Sequence, residues 1–112
     1  MNTKGVYVMQ VASMLTDMHP QTLRKYERAG FLTPFRKGAA RLYSDEDISR
    51  LKMIKVLVAD RGFNLAGIEL ALNLRTKMLE MRDDIVSSNV TRRLAKQFEE
   101  SINEMLEILE VG

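Results

Sequence analysis

The stretch Pro20-Gln-Thr-Leu-Arg-Lys-Tyr-Glu-Arg-Ala29 decides the fold, because it predicts a short helix with a cationic outer side. Pro20 suits the first helical position, where its missing N–H has no partner within the helix, and Gly30 is a typical residue after a helix end. Leu23 is predicted to point into the core. The residues left on the outer faces are polar or basic: Gln21, Thr22, Arg24, Lys25 and Arg28.

A second short helix is predicted just before this one, over residues 8–15. Its apolar residues recur at helical spacing and are expected to pack with Leu23: Val8, Val11, Ala12 and Leu15. Thr16, Asp17 and Met18 form a tight connection, and His19 falls at the helix N-cap rather than in a metal or pH-sensing site. Two short helices joined by a three-residue turn are typical of a helix-turn-helix.

A small hairpin is predicted next, because two short apolar runs flank a basic segment that contains glycine. The runs are 31–35 and 41–43, and between them lies Arg36-Lys-Gly-Ala-Ala40. A hairpin that follows a helix-turn-helix is a wing. Ser44 and Asp47 then predict an approximate capping box at the start of a third helix. Its buried stripe is predicted to be Ile48, Leu51, Ile54, Leu57 and Val58.

Asn64 is predicted to cap a fourth helix, with Leu65, Ile68 and Leu72 facing the core. A further stripe runs through Ala71, Leu74, Met78, Met81 and Ile85, and a last one through Val90, Leu94, Phe98, Ile102, Met105 and Leu109. The two stripes are out of phase around Ser87-Ser-Asn89. This predicts a break and a terminal helix from about Asn89 to Val111, with one continuous helix containing a stutter as the alternative.

The terminal helix is predicted to mediate dimerisation through the last stripe, because an apolar stripe at a chain end usually pairs with another helix. The alternative is that this helix folds back on its own domain. The expected fold is therefore mainly α. A winged helix-turn-helix domain spans 6–73, with the helix-turn-helix at about 8–29 and a two-stranded wing at about 31–43, and a helical dimerisation region spans 74–112.

Composition excludes several function classes. The 112 residues suffice for one core, there is no cysteine, and His19 is the only histidine. Thiolate zinc sites, disulfides and histidine metal clusters within one chain are therefore excluded. No nucleophile–base pair, metal set or phosphate loop is recognisable, so neither an enzyme nor a cofactor is expected. The sequence has no apolar run of about 18 residues, so a cytoplasmic protein without a membrane segment is expected.

Charge is unevenly distributed along the chain. Residues 1–61 carry 11 Lys/Arg against 6 Asp/Glu, whereas residues 62–112 carry 6 against 9. Within residues 24–41, six cations accompany a single acid, Glu27. A basic front of this kind suits a polyanionic partner such as double-stranded DNA.

Three short segments resemble the MerR family of transcriptional regulators. Thr22-Leu-Arg-Lys-Tyr-Glu27, Gly30-Phe-Leu32 and Arg41-Leu-Tyr-Ser44 are similar to its T-L-R-x-Y-E, G-L and R-x-Y-S pattern. The resemblance covers residues 6–72. It implies that the recognition helix contacts DNA through Gln21, Thr22, Arg24, Lys25 and Tyr26, and that the wing reaches phosphates through Arg36, Lys37, Arg41 and Tyr43.

Two further segments, 18–24 and 62–68, resemble the heat-shock repressors of that family. The resemblance implies a homodimer that binds an inverted-repeat operator and represses chaperone genes. It also implies a DnaK-type chaperone as co-repressor. The alternative is a MerR-like protein-interaction module that modulates a chaperone without binding DNA. The basic recognition face and wing distinguish the two hypotheses and favour DNA binding.

Overall fold

The computed structural model describes residues 6–88 and 91–110. The elements found there are β1 (Tyr7–Val8), α1 (Met9–Thr16), α2 (Pro20–Arg28), β2 (Phe35–Lys37), β3 (Ala40–Tyr43), α3 (Asp45–Ala59), α4 (Leu65–Val86) and α5 (Arg92–Glu110). The predicted mainly α fold, with a helix-turn-helix, a wing and a C-terminal helix, is confirmed. No helix in the described ranges is both long and apolar enough to cross a bilayer.

The turn between α1 and α2 is held from both sides. Asp17 ends α1 in the left-handed conformation, with φ 53° and ψ 46°, which aspartate tolerates better than most residues other than glycine. Its backbone N–H donates to the Met14 carbonyl oxygen at 3.3 Å, and Lys55 Nζ of α3 donates to the Asp17 carbonyl oxygen at 2.8 Å. His19 Nδ1 then accepts from the Gln21 N–H at 3.1 Å, which confirms His19 as the N-cap of α2.

The buried side of α1 differs from the prediction. Ala12 and Thr16 are buried, whereas Val11 and Leu15 are 39% and 45% exposed. Thr16 Oγ1 donates to the Ala12 carbonyl oxygen at 2.8 Å, so the buried hydroxyl is satisfied within the helix. Val11 and Leu15 are therefore not core residues as predicted, because periodicity in a two-turn helix does not show which of two adjacent sides is covered.

The wing is an antiparallel hairpin as predicted, but β2 spans Phe35–Lys37, so Arg36 and Lys37 lie in a strand and not in the predicted tip. In β2 and β3, Phe35 pairs with Leu42 and Arg36 pairs with Arg41, and Gly38 in the turn between the strands has a φ of 62° that favours glycine. The strand β1 pairs with the other side of β3, which gives the sheet order β1-β3-β2. The sequence did not predict β1, because two residues are too few for an alternating pattern.

The start of α3 is the predicted capping box. Ser44 Oγ accepts from the Asp47 N–H, and Asp47 Oδ2 accepts from the Ser44 N–H, each at 3.0 Å. The buried stripe is confirmed at Ile48, Leu51, Ile54 and Leu57. Val58 was assigned to this stripe wrongly: it is 38% exposed, and Met53 is buried instead. Val58 lies one helical turn after Ile54, so the spacing predicted that it would also be buried. The covered side of α3 does not extend to Val58.

The chain divides into two compact units, Met1–Leu65 and Ala66–Gly112. The first contains the helix-turn-helix, the sheet and α3, and its largest fully buried side chains are Tyr43, Leu23, Leu51, Ile54 and Leu57. The division falls at the start of α4, whereas residue 73, the predicted domain end, lies inside that helix.

The second unit contains α4 and α5. The two stripes predicted over residues 64–85 belong to the single helix α4, in which Ile68 and Leu72 are buried as predicted. Leu65, predicted to face the core, is 45% exposed, because it is the first residue of the helix. The helix ends at Val86 and α5 begins at Arg92, so the predicted break is confirmed and a continuous helix is not formed.

Candidate nucleic-acid interface

The exposed side of α2 carries a dense polar and cationic row. Gln21, Arg24, Lys25 and Arg28 are spaced i, i+3, i+4 and i+7, which places them on one side of the helix, and all four are exposed. We call this set the recognition row. Leu23 and Tyr26, on the opposite side, are buried and attach the helix to the core. The structure thus presents one amide and three cations on a rigid element.

Arg28 belongs to this row although it was not among the predicted contacts. The signal for it was present, since Arg28 lies one helical turn after Arg24 and Lys25 on the same side. Thr22, which was predicted to lie near bases, is half-buried at the edge of the exposed side. Its backbone N–H donates to the His19 carbonyl oxygen at 2.9 Å, within the first turn of α2.

Tyr26 links the recognition helix to the core. Its ring is buried and stacks on Phe31, with ring centroids 6.0 Å apart, and burial raises the pKa of its hydroxyl. Lys25 Nζ lies 5.7 Å from the centroid of the Tyr26 ring, within the range of a cation–π contact. The predicted inward ring is therefore observed, and a contact between the Tyr26 hydroxyl and phosphate stays a prediction.

The wing cations fall into two groups. Lys37 is exposed at the end of β2, next to the hairpin turn. Arg36 and Arg41 both lie against Glu27 of α2: Arg36 Nη2 is 2.8 Å from Oε2, and Arg41 Nε is 2.9 Å from Oε1. The Arg36 contact is a hydrogen bond, whereas the Arg41 atoms are close without the alignment of one. Neither wing arginine was predicted to pair with an acid.

Tyr43 requires a correction. It was predicted to reach phosphate from the wing, but its side chain is fully buried and its hydroxyl has no hydrogen-bond partner. Burial, followed by the nearby Glu27 carboxylate, raises the pKa of Tyr43, so the hydroxyl stays neutral. Tyr43 is on β3, the central strand of the sheet, and its side chain is part of the core. We therefore assign Tyr43 to the core and not to the DNA-contacting surface.

The apolar stripe of α5 is divided between covered and exposed residues. Ile102 is 3% exposed and Leu109 half-buried, whereas Leu94, Phe98 and Met105 are 42%, 44% and 41% exposed. Val90, also predicted in this stripe, lies outside the described residues. Ile102 is thus already buried within one chain, as is Leu106, which the stripe did not include. The Arg82 Nη1 of α4 donates to Asn103 Oδ1 of α5 at 2.9 Å, so the two helices are in contact.

Four exposed apolar side chains of α5 lie along one side of the helix. Leu94, Phe98 and Met105 are joined on it by Ile108, which is 68% exposed and was not predicted. The steps of four, seven and three residues keep the four side chains on one side of the helix. We call these four residues the α5 strip.

No cluster of three or more metal-binding side chains occurs in residues 6–88 and 91–110. The exposed side of α2 and the wing offer hydrogen-bond donors and cations.

Comparison with known proteins places these features in a family. The family of MerR HTH regulatory proteins matches residues 7–74. A Streptomyces coelicolor protein, named heat shock protein HspR, is 44% identical to this chain over 78 residues. These residues are 69% of this chain and 52% of the relative. The HTH-type transcriptional regulators MlrA of Escherichia coli and Salmonella typhimurium are 34% identical over 71 residues, which are 62% of this chain and 29% of those proteins.

The helix-turn-helix and the paired wing define a winged helix-turn-helix regulatory protein. The chain belongs to the MerR family, because the matched residues 7–74 make up more than half of its length. Its sequence is similar to that of Streptomyces HspR, as segments 18–24 and 62–68 predicted. The chain spans about half the length of HspR and less than a third of the length of the MlrA proteins.

Proposed function

We propose that the chain binds double-stranded DNA as a dimeric, sequence-specific transcriptional repressor of heat-shock or chaperone genes. The observation that carries this proposal is the recognition row on α2, since four exposed residues with hydrogen-bond donors lie on one side of a helix that is anchored by buried Leu23 and Tyr26. Membership in a helix-turn-helix regulatory family supports the same conclusion.

The chemistry of the recognition row fits the major groove of DNA. A glutamine amide matches the paired donor and acceptor of adenine, and an arginine matches the two acceptors of guanine. Gln21 and Arg24 are therefore expected to contact bases. Lys25 and Arg28 are expected to contact phosphates on either side, which fixes the helix in the groove without reading sequence. Lys37 of the wing adds a phosphate contact from outside the helix.

The proposed dimer is supported by the α5 strip. Its four side chains are apolar, exposed and on one side of a 19-residue helix. A second copy of the same strip would cover these side chains and remove their apolar surface from water. The resemblance to the MerR family implies that such a pair is an antiparallel coiled coil. Two-fold symmetry then presents two recognition helices to the same sequence on opposite strands, so the operator is an inverted repeat.

The proposed target genes rest on similarity. The Streptomyces relative is named as a heat shock protein, and its 44% identity extends over 78 residues of this chain. We extend this to chaperone genes as targets and a DnaK-type chaperone as co-repressor. In that scheme a fall in free chaperone during stress releases the operator. The cytoplasm is the compartment in which such a regulator meets DNA.

The test is protection mapping on the DNA upstream of this gene and of neighbouring chaperone genes, with and without purified chaperone. We expect a protected inverted repeat with the unaltered chain and stronger protection when chaperone is added. Arg24→Ala should lose protection, whereas Lys52→Ala, an exposed lysine on α3, serves as a control of equal charge change. Chaperone binding without any DNA protection would contradict the proposal and favour a protein-interaction module.

A further inference from the structure

Glu27 holds together two arginines that would otherwise repel each other. Arg36 and Arg41 are direct cross-strand partners in β2 and β3, and like charges in that position destabilise a hairpin. Each contacts a different oxygen of the one carboxylate, at 2.8 and 2.9 Å. The acid lies on α2 and both cations lie on the wing, so these contacts join the recognition helix to the wing.

The contact is partly shielded from water. The Glu27 side chain is 16% exposed and Arg41 is 28% exposed, while Arg36 is 57% exposed. Partial burial strengthens charge–charge contacts relative to those on an open surface. Glu27 is also the single acid among residues 24–41, so no neighbouring acid along the chain can replace it in this segment.

We propose that Glu27 is a positioning residue for DNA binding: it fixes the two wing arginines at a set distance from the recognition helix. A guanidinium has five N–H donors: Arg36 donates one of them to Glu27, and Arg41 lies against Glu27 through its Nε alone. The remaining donors stay available for phosphate oxygens. Glu27 thus lowers the net positive charge of the surface and at the same time holds Arg36 and Arg41 in place. This inference rests on the proposed DNA-binding function.

A simpler electrostatic account makes the opposite prediction. If Glu27 only neutralised nearby cations and repelled phosphates, its removal would free two arginines. DNA affinity would then rise, and the dependence of log K on log salt concentration would become steeper. Positioning predicts that affinity falls and that the dependence becomes shallower, because the wing arginines lose their placement. The sign of the effect therefore decides between the two accounts.

The experiment compares Glu27→Gln with the unaltered chain on a double-stranded fragment that the unaltered chain protects. Glutamine has nearly the shape of glutamate but no charge. We expect affinity to fall about fivefold at about 0.15 M salt for each phosphate that the wing arginines no longer reach, and the salt slope to become shallower by about one to two units. Asp60→Asn, at the exposed end of α3, makes the same charge change and should alter neither quantity.

Two further measurements keep a folding defect separate from a loss of positioning. Partial unfolding lowers the fraction of active protein but leaves the salt slope of the active molecules unchanged, and thermal melting followed by circular dichroism reports it directly. Glu27→Asp keeps the charge but shortens the reach by one methylene. Positioning predicts that Glu27→Asp also loses affinity, whereas the charge account predicts no change.

Tighter binding by Glu27→Gln, or an unchanged salt slope, would overturn this inference and leave the proposed function intact. A failure of the unaltered chain to bind any of the upstream DNA would contradict the proposed function itself, and this inference with it.

Discussion

The recognition row of α2 and the α5 strip are both exposed, and the two surfaces differ in chemistry. In α2 the exposed side carries cations and an amide, while Leu23 and Tyr26 are buried. In α5 the exposed residues include the four apolar side chains of the α5 strip, while Ile102 is buried. An exposed cationic side is stable in water without a partner, whereas an exposed apolar strip gains free energy when another apolar surface covers it. The comparison separates a surface for a charged polymer from a surface for a second protein chain.

The largest expected effect comes from placing a charge in the α5 strip. In Phe98→Glu, each copy of the chain would bring a carboxylate into the proposed dimer contact, so we expect monomers by light scattering at micromolar concentration. Operator affinity should fall on the order of 100-fold, because the two recognition helices no longer bind as one unit. Lys96→Gln makes the same change in charge at an exposed residue on the opposite side of the helix, and it should leave a dimer. If Phe98→Glu remained a dimer, the α5 strip would not be the dimer contact, and the proposed division of roles between α2 and α5 would be wrong.

A change on the covered side of α5 should have a different consequence. Ile102→Ala removes a side chain that is already buried in the single chain, so we expect a loss of about 2–5 kcal/mol in the free energy of unfolding. Chemical denaturation at several protein concentrations measures this quantity. If Ile102 acts within one chain, the loss should not depend on concentration. A loss that disappeared at high concentration would instead assign Ile102 to the dimer contact.

Within the recognition row, Arg24→Ala should weaken operator binding about 10- to 100-fold and relax the preference for one base pair. Its side chain is exposed, so thermal stability should change little. Fluorescence anisotropy on the operator and on single-base variants of it measures both affinity and preference. A uniform loss across all variants would reassign Arg24 from a base contact to a phosphate contact.

The smallest effect is expected at Tyr43. Tyr43→Phe removes only a buried hydroxyl that has no hydrogen-bond partner, so stability should stay the same or rise slightly. Operator affinity should stay within about twofold, since the ring still fills the core. The family resemblance alone predicts weaker phosphate binding for this variant. A clear loss of affinity with unchanged melting would support that resemblance and contradict our correction.

The sequence predicted the first unit well where local chemistry determines structure. The His19 cap, the Ser44–Asp47 capping box and the hairpin turn at Gly38 each depend on residues close together in the chain. The recognition row was mostly predicted for the same reason, because cations at helical spacing remain in solvent whatever the rest of the chain does.

Several of the misses depend on residues far apart in the chain, whereas Arg28 was missed although its helical spacing indicated it. The contact of Glu27 with two wing arginines, the burial of Tyr43 by the sheet, and the pairing of β1 with β3 arise only after folding. An apolar stripe is also ambiguous by nature. Val11 and Ile102 look alike in a helical pattern, yet one is exposed and the other buried. Hydrophobicity predicts that a side chain will be covered and does not say by which surface.

The measurement that most directly tests the account is binding of the chain to synthetic inverted repeats with spacers lengthened one base pair at a time. A rigid dimer requires both recognition helices on the same side of the duplex, with half-site centres about two helical turns, or roughly 20 base pairs, apart. Bending or untwisting of the site can move the optimum by a base pair or two. We predict that affinity falls sharply when about half a turn is added to the best spacer. Affinity that did not depend on spacing would mean that the two recognition helices bind independently, and would contradict the proposed dimeric mechanism.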